Sequence, residues 1–231
     1  MSVAENIASI RARMDAAADA AGRNRKDILL CAATKMNDAA AVQQAIAAGV
    51  DCCGENRVQE LVSKAAQNAY QGAPVHFIGH LQTNKIRQVV GHVALIQSVD
   101  SLRLLQALQK EALRQGIRQD ILLEVNIAGE ASKSGFTPEE ILPIVENFSV
   151  FPNLCLRGLM AIPPICHNCA ENRKFFQKMS QLSVDITAKN SDNVRVDILS
   201  MGMSDDFEEA IRCGSTMIRI GTAIFGARDY T

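Results

Sequence analysis

Strand-like and helix-like segments alternate along the whole sequence, and this alternation constrains the fold more than any other feature. Eight short strand-like segments are separated by stretches with helical spacing. The predicted strands cover residues 27–34, 51–54, 75–79, 94–99, 121–127, 154–162, 194–200 and 216–220. Alternating strands and helices indicate an α/β fold with a parallel sheet, and eight units of about 29 residues predict a closed (β/α)8 TIM barrel.

The segments between the predicted strands carry signals for helix starts and ends. Asn56 with Gln59, and Thr137 with Glu140, have the spacing of capping boxes. The predicted helices cover residues 2–22, 37–48, 56–70, 82–90, 101–115, a segment that begins at 137, 168–188 and 205–212. Only eleven residues follow the eighth strand, which is too few for a full eighth helix. We therefore expect the extra N-terminal helix, 2–22, to cover that side of the barrel.

An open, doubly wound sheet is the competing architecture. Its usual glycine fingerprint, G-x-G-x-x-G after the first strand, is missing from the sequence. No proline-rich or serine-rich linker divides the chain, so residues 1–231 are predicted to form a single domain.

Charge and composition exclude several classes of partner and location. The chain has 24 Lys and Arg residues against 25 Asp and Glu residues, a net charge of −1, and no basic block. This balance argues against nucleic acid or an anionic membrane as the partner. No apolar run approaches the roughly 18 residues of a membrane span, and the charged first helix is unlike a secretory signal. We expect a cytoplasmic protein.

The cysteine pattern predicts reduced thiols and no metal site. Seven cysteines make an odd number, and they show no repeated spacing. Cys166 and Cys169 form a CxxC motif around His167, but no second ligand pair accompanies it. His76 and His80 are four residues apart on a strand and its following loop rather than on one helix face, which does not favour a metal pair.

Reactive side chains fall at the predicted strand ends, where a barrel of this class carries its functional groups. Gly221 and Thr222 follow the eighth strand, and with Ser200 they have the character of a phosphate site; alternatively, they only turn the chain and cap a short helix. Lys35 ends the first strand and is either a solvated lysine or an amine nucleophile. A phosphate site opposite a reactive lysine suggests pyridoxal 5′-phosphate, with Arg219 facing the pyridine nitrogen.

From about residue 28 to the C-terminus, the sequence contains long motifs that follow one another in the order found in a known family. They are ATK (33–35), GENRVQE (54–60), HFIGHLQTNKIR (76–87), EVNIAGEASKSGF (124–136), RGLMAIPP (157–164), LSMGMSDDFEEAI (199–211) and GSTMIRIGTAIFGARDY (214–230). With these motifs the chain resembles the pyridoxal phosphate homeostasis protein family. The departures are mild: ATK stands where many members have VSK or a similar lead, and the Cys52–Cys53 pair is unusual.

The resemblance implies a barrel like the N-terminal domain of alanine racemase and a defined cofactor site. It implies that Lys35 holds pyridoxal 5′-phosphate (PLP) as a Schiff base and that Ser200, Gly221 and Thr222 hold the phosphate. It also implies that Arg219 faces the pyridine nitrogen and that Asn56 and Met201 line the cofactor.

The function implied by the resemblance is intracellular PLP homeostasis, in which the protein carries or buffers the cofactor without catalysis. Racemases of this barrel use a second acid/base, a tyrosine from a separate domain of the partner subunit. This sequence has only Tyr70 and Tyr230 and leaves no length for such a domain, so we expect no catalytic residue and a monomer.

Several alternatives stay open at this stage. One is a small racemase-like enzyme that uses Lys35 as its base, and another is a barrel that binds a different phosphorylated metabolite. PLP-dependent apo-enzymes are the expected partners. Lys133, in the SKSG segment, is either a plain rim lysine or part of a second cofactor site.

Overall fold

Eight parallel strands close into a barrel in the computed structural model, which describes residues 2–164, 169–189 and 192–226. The strands, in chain order and named β1 to β8, are Leu29–Ala33, Cys52–Glu55, Val75–Phe77, Leu95–Val99, Gln119–Glu124, Leu154–Met160, Val194–Ser200 and Met217–Ile220. Each strand pairs with the next in sequence, and β1 pairs with β8 to complete the ring. The predicted (β/α)8 architecture is confirmed.

Helices follow most of the strands on the outside of the barrel. They are named α1 to α8 and cover Val3–Ala20, Ala39–Ala47, Val58–Ala66, Leu102–Gln115, Pro138–Glu146, Cys169–Thr187, Phe207–Arg212 and Thr222–Phe225. Because the sheet is enclosed by this layer, strands such as β2 and β4 are buried along their whole length. Among the described helices, none combines the length and the apolar character that crossing a membrane requires.

Helix α1 covers the side of the barrel where the last helix, α8, has only one turn. Its buried residues Ile7, Ile10 and Met14 belong to the same apolar cluster as residues of β8 and α7. Nδ2 of Asn6 donates to the carbonyl of Ile224 in α8 at 2.8 Å. Just beyond α1, Nη1 of Arg23 donates to two carbonyl oxygens beside α7, each at 2.7 Å. The predicted role of the N-terminal helix is confirmed.

The capping box predicted at Asn56 and Gln59 is wrong. Helix α3 begins at Val58, and its capping position is held by Arg57, which makes no side-chain cap hydrogen bond. The chain stays extended past β2 because the carbonyl of Glu55 accepts a hydrogen bond from the N–H of Ile78 at 2.8 Å. The helix can therefore start only after Asn56.

Helix α3 also ends at Ala66 rather than near Tyr70. Asn68 and Gln71 adopt positive φ angles of 50° and 49°, which break the helix. The resulting turn inserts Tyr70 into the protein, where its side chain is buried.

Several other elements differ from the prediction by one or two residues at an end, and two differ more, in type or position. The segment predicted as helix 82–90 is a 3-10 helix over Thr83–Gln88, closed by i to i+3 bonds such as the one from Val89 N–H to the Ile86 carbonyl at 2.9 Å. Strand β5 begins two residues earlier and ends at Glu124 rather than at residue 127. It ends there because the Glu124 carbonyl accepts from the N–H of Phe136 at 2.9 Å, which draws the following loop back.

Some residues considered in the sequence analysis are not among the residues that the structure describes. Cys166, His167 and Tyr230 are outside the described residues, and of the CxxC motif only the backbone of Cys169, at the start of α6, is described.

Candidate functional site

The carboxyl ends of β7, β8 and β1 are neighbours at one rim of the barrel. Strand β8 pairs with β1 up to Ile220 opposite Ala32. A Cβ atom added to Gly221 would lie 3.4 Å from Cβ of Ala33, so the two chain ends run side by side just before their loops. The rim therefore carries the predicted site residues that end or follow these strands, which are Lys35, Ser200, Met201, Gly221 and Thr222.

Lys35 is half-buried and lies in a turn that is fixed on both sides. The next residue, Met36, has a φ of 62°, a left-handed conformation that is uncommon for a side chain of this kind. Its N–H donates to Oε2 of Glu60 at 2.6 Å. On the other side, Nζ of Lys64 donates to the carbonyl of Thr34 at 2.7 Å. Helix α3 thus holds the backbone that presents Lys35.

A buried carboxylate lies beneath this turn. Glu55 is fully buried, and its Oε1 accepts from Nζ of Lys64 at 2.7 Å and from Oγ1 of Thr34 at 2.6 Å. The hydroxyl of Tyr70 donates to the same oxygen at 3.2 Å. Burial, followed by the Glu55 charge, raises the pKa of Tyr70 and keeps its hydroxyl protonated. Tyr70 therefore supports the Lys35 turn rather than offering an acid to the rim.

Arg219 is a buried cation on β8 at the centre of a hydrogen-bonded chain. Its Nη1 donates to Oγ of Ser200 at 2.6 Å, and its Nη2 donates to the carbonyl of Ala161 at 2.9 Å. Oγ of Ser200 is 2.7 Å from Oε1 of Gln97, and Nε2 of Gln97 is 2.9 Å from Nδ1 of His76. Burial lowers the pKa of Arg219 from the usual arginine value.

The direction of every hydrogen bond in this chain follows from Arg219, because a guanidinium only donates. Ser200 accepts from Arg219, so its hydroxyl proton is directed to Oε1 of Gln97. The amide group of Gln97 then donates to Nδ1 of His76, which is unprotonated at that nitrogen. Burial lowers the pKa of His76 to about 4, in agreement with a neutral imidazole.

Hydroxyl groups meet where the loops after β7 and β8 come together. Oγ1 of Thr222 donates to Oγ of Ser204 at 3.0 Å, and the N–H of Ala223 is 3.3 Å from the same Ser204 oxygen. Thr222 is exposed and is the first residue of α8, with Gly221 at the capping position. The buried residue Met201 anchors the first loop, since its N–H donates to the Met217 carbonyl at 3.1 Å.

A cavity of about 270 Å³ opens at the same end of the barrel, beside β2, β3 and β5. Asn56 lines it, and Oδ1 of Asn56 is buried without a hydrogen-bond partner among the described residues. Glu124 also lines the cavity, and burial followed by the charge of Asp100 raises the pKa of this carboxyl. Nδ1 of His80, another lining residue, lies 3.0 Å from Oδ2 of Asp100.

Comparison with known proteins places the chain in a family. Residues 5–229 match the model of the alanine racemase N-terminal domain. A pyridoxal phosphate homeostasis protein of Pseudomonas aeruginosa is 44% identical over 228 residues, which cover 99% of this chain and 96% of that protein. The chain belongs to the pyridoxal phosphate homeostasis protein family.

Solved structures agree with this placement. PipY of Synechococcus elongatus, solved with PLP bound, superposes with a TM-score of 0.83 at 32% identity, covering 97% of this chain and all of that one. The alanine racemase of Clostridium difficile superposes with a TM-score of 0.69 at 14% identity. That match covers 97% of this chain and 57% of the racemase and concerns the fold alone.

The residues of this family member fit a ligand with an anionic and a polar end. The rim offers a lysine, a buried guanidinium, two neighbouring hydroxyls and an amide oxygen that has no partner in the part of the chain that the structure describes. These groups are suited to an aldehyde, a ring nitrogen, a phosphate and a ring hydroxyl, which are the functional groups of PLP.

Sequence reasoning missed Ser204 and Gln97. Ser204 directly precedes the predicted helix 205–212, and a serine beside a predicted phosphate loop is a usable signal. Gln97 is a buried polar residue of the predicted strand 94–99, and its contacts join β3, β4 and β7. Its partners lie about 20 and 100 residues away, so spacing could not reveal them.

Proposed function

We propose that this chain binds PLP as a Schiff base on Lys35 and serves PLP homeostasis by carrying or buffering the cofactor. The observation that carries this proposal is the meeting of Lys35, buried Arg219 and the Ser204–Thr222 hydroxyl pair at one rim. The solved relative with PLP bound supports it, because that protein aligns along the whole chain. In the proposed site, Gly221 and Thr222 hold the phosphate together with Ser200, whose hydroxyl would turn from Gln97 to a phosphate oxygen. Asn56 and Met201 line the cofactor.

Bound PLP supplies an aldehyde that bonds to amines and a pyridine ring that withdraws electrons. Arg219 uses two of its five N–H donors on Ser200 and Ala161, which leaves donors for a ring nitrogen. A guanidinium does not give up its proton, so a pyridine nitrogen that accepts from Arg219 stays unprotonated and withdraws electrons less strongly. This arrangement suits storage of the cofactor better than catalysis.

The remaining parts of the proposal concern the protein as a whole. We propose a non-catalytic, cytoplasmic monomer whose residues 1–231 form one PLP-binding domain, and which passes the cofactor to PLP-dependent apo-enzymes. The near-zero net charge and the closed barrel support a freely diffusing carrier. The name of the Pseudomonas relative, a pyridoxal phosphate homeostasis protein, supports a homeostatic role over a catalytic one.

A racemase-like activity is the second candidate, and one observation favours it. Glu124, whose pKa is raised by burial, lines the rim cavity and could exchange a proton with a substrate held near Lys35. Turnover of a D- or L-amino acid that is lost in both Lys35→Ala and Glu124→Gln would establish this activity. Absence of turnover across the amino acids would leave the carrier proposal standing.

Titration with PLP tests the proposed function. Wild-type protein is expected to turn yellow and bind one PLP at the site, with absorbance that Lys35→Ala does not develop. Lys110→Ala, which changes an exposed lysine on α4, is the matched control and should behave as wild type. Equal absorbance in Lys35→Ala and wild type would overturn the assignment of Lys35.

A further inference from the structure

Two thiols and an imidazole meet inside the barrel, at a place that the PLP proposal does not use. Cys31 of β1, Cys52 of β2 and His76 of β3 each offer one ligand atom, and these atoms lie within 4.8 Å of one another. Cys31 and Cys52 are direct neighbours in the sheet register. Both cysteines belong to the interior cluster that also contains Leu95 and Met217.

The spacing of these atoms matches that of a tetrahedral zinc site. With Zn–S near 2.3 Å, Zn–N near 2.0 Å and tetrahedral angles, a sulfur and a nitrogen ligand lie about 3.5 Å apart. Sγ of Cys52 and Nδ1 of His76 are 3.5 Å apart. The side chains therefore already hold the separation that coordination requires.

His76 also has the protonation state that a metal needs. Because Gln97 donates to Nδ1, that nitrogen presents a lone pair, and the ring proton is on the other nitrogen. A bound ion would take the place of this hydrogen bond. Gln97 keeps a contact with Sδ of Met217 at 3.1 Å and its bond from Ser200, so its side chain stays anchored.

We propose that Cys31, Cys52 and His76 form a binding site for a zinc ion within the barrel. On binding, each cysteine thiol loses one proton to solvent and forms a Zn–S bond, while the neutral imidazole adds a Zn–N bond. Two thiolates balance the two charges of the ion, so the buried assembly carries no net charge. Three protein ligands leave one coordination position open.

The proposed site differs from the expectation of no metal that the sequence supports. The three ligands are separated by 21 and 24 residues and belong to three strands, so they form none of the short motifs that indicate zinc. They converge only because β1, β2 and β3 are consecutive in the barrel.

Metal analysis of matched variants tests the proposal. The parent is the double variant Cys166→Ser/Cys169→Ser, which removes the CxxC thiols, and all proteins are expressed in zinc-supplemented medium so that metal is present as the chain folds. The parent is expected to retain about one zinc per chain after desalting, and addition of Cys52→Ser should lower this at least tenfold. Cys53→Ser is the control, because Cys53 is equally buried and adjacent but lies outside the ligand set.

A second measurement covers the case in which Cys52→Ser does not fold. X-ray absorption at the zinc edge of the parent should give two sulfur ligands and at least one nitrogen ligand. The proposal is overturned if the parent holds no stoichiometric zinc, if Cys52→Ser and Cys53→Ser retain equal amounts, or if the ligands are oxygen and nitrogen only. A disulfide between Cys31 and Cys52, or copper in place of zinc when both are supplied, would also overturn it.

Discussion

At the scale of single residues, Thr222 is the residue of the proposed cofactor site whose contact with the phosphate can be tested separately from contacts with the ring. Its exposed hydroxyl contacts Ser204. In the proposed site this hydroxyl binds the phosphate rather than the ring. We expect Thr222→Val to weaken PLP binding at least about tenfold, since a hydrogen bond to a charged group contributes about 1.5–3 kcal/mol. Binding is measured by absorbance titration.

Two controls separate the phosphate contact from other effects of this change. Thr222→Ser keeps the hydroxyl and should bind PLP nearly as well as wild type. Pyridoxal, which lacks the phosphate, should bind wild type and Thr222→Val equally. If Thr222→Val weakens pyridoxal as much as PLP, Thr222 does not hold the phosphate.

The Glu55–Lys64 pair yields a prediction about stability. Lys64→Met leaves the fully buried Glu55 carboxylate without its cation, which costs about 3–5 kcal/mol of unfolding free energy. It also releases the Thr34 carbonyl beside Lys35, so PLP binding should weaken. Urea denaturation and PLP titration measure the two effects.

A double-mutant cycle provides the check on this pair. Adding Glu55→Gln to Lys64→Met removes the unpaired charge and should recover part of the lost stability. Strictly additive losses would mean that the two side chains act independently.

At the scale of elements, the docking of α1 is open to a direct test. Ile10 is buried on the face of α1 that packs on the barrel, and neighbouring Ser9 is exposed. Ile10→Ala should lower the free energy of unfolding by about 3 kcal/mol, whereas Ser9→Ala should change it by less than about 0.5 kcal/mol. Chemical denaturation gives both values, and a small loss in Ile10→Ala would mean that α1 does not stabilise the barrel.

Most elements were predictable because the signals that define them are local. Strand β7 occupies the predicted residues 194–200, where apolar residues alternate with the exposed Arg195 and Asp197. Helix α4 begins after Ser101 and ends at Gly116, which has a φ of 67°, as cap chemistry indicates. The start of α3 was missed because the bond between Ile78 and Glu55 overrides the local capping signal.

The candidate site was predictable only in part. Residues that the barrel topology places at the rim could be predicted, whereas contacts between their side chains could not. Lys35, Ser200 and Gly221 could be proposed because strand ends of a barrel share one rim, so strand positions alone place them. The partners of Arg219 could not be proposed, because its contacts with Ser200 and Ala161 depend on rotamers and barrel closure. Family resemblance supplied roles for residues, whereas the structure supplies the contacts between them.

At the scale of the whole molecule, the barrel separates two regions of different chemistry. The rim carries hydroxyls, an amide and lysines, and the interior below it carries the Cys31–Cys52–His76 cluster. The chain from Arg219 through Ser200 and Gln97 to His76 joins them by hydrogen bonds of 2.6 to 2.9 Å. The interior and the rim are therefore connected by side chains in direct contact.

The proposed monomer is also a property of the whole molecule. Light scattering of the purified protein should give a mass near 25.1 kDa, both with and without PLP. A mass twice as large at low micromolar concentration would contradict it, and a dimer seen only with PLP would indicate that the cofactor controls assembly.

The central claim is that PLP is bonded to Lys35, and borohydride reduction followed by peptide mass mapping tests it most directly. Reduction fixes a Schiff base as a stable pyridoxyl-lysine, which marks the lysine that held the cofactor. We predict loss of the yellow absorbance and one phosphopyridoxyl group on the peptide that contains Lys35. A reduced protein with the label on Lys133 or another lysine, and none on Lys35, would contradict the claim.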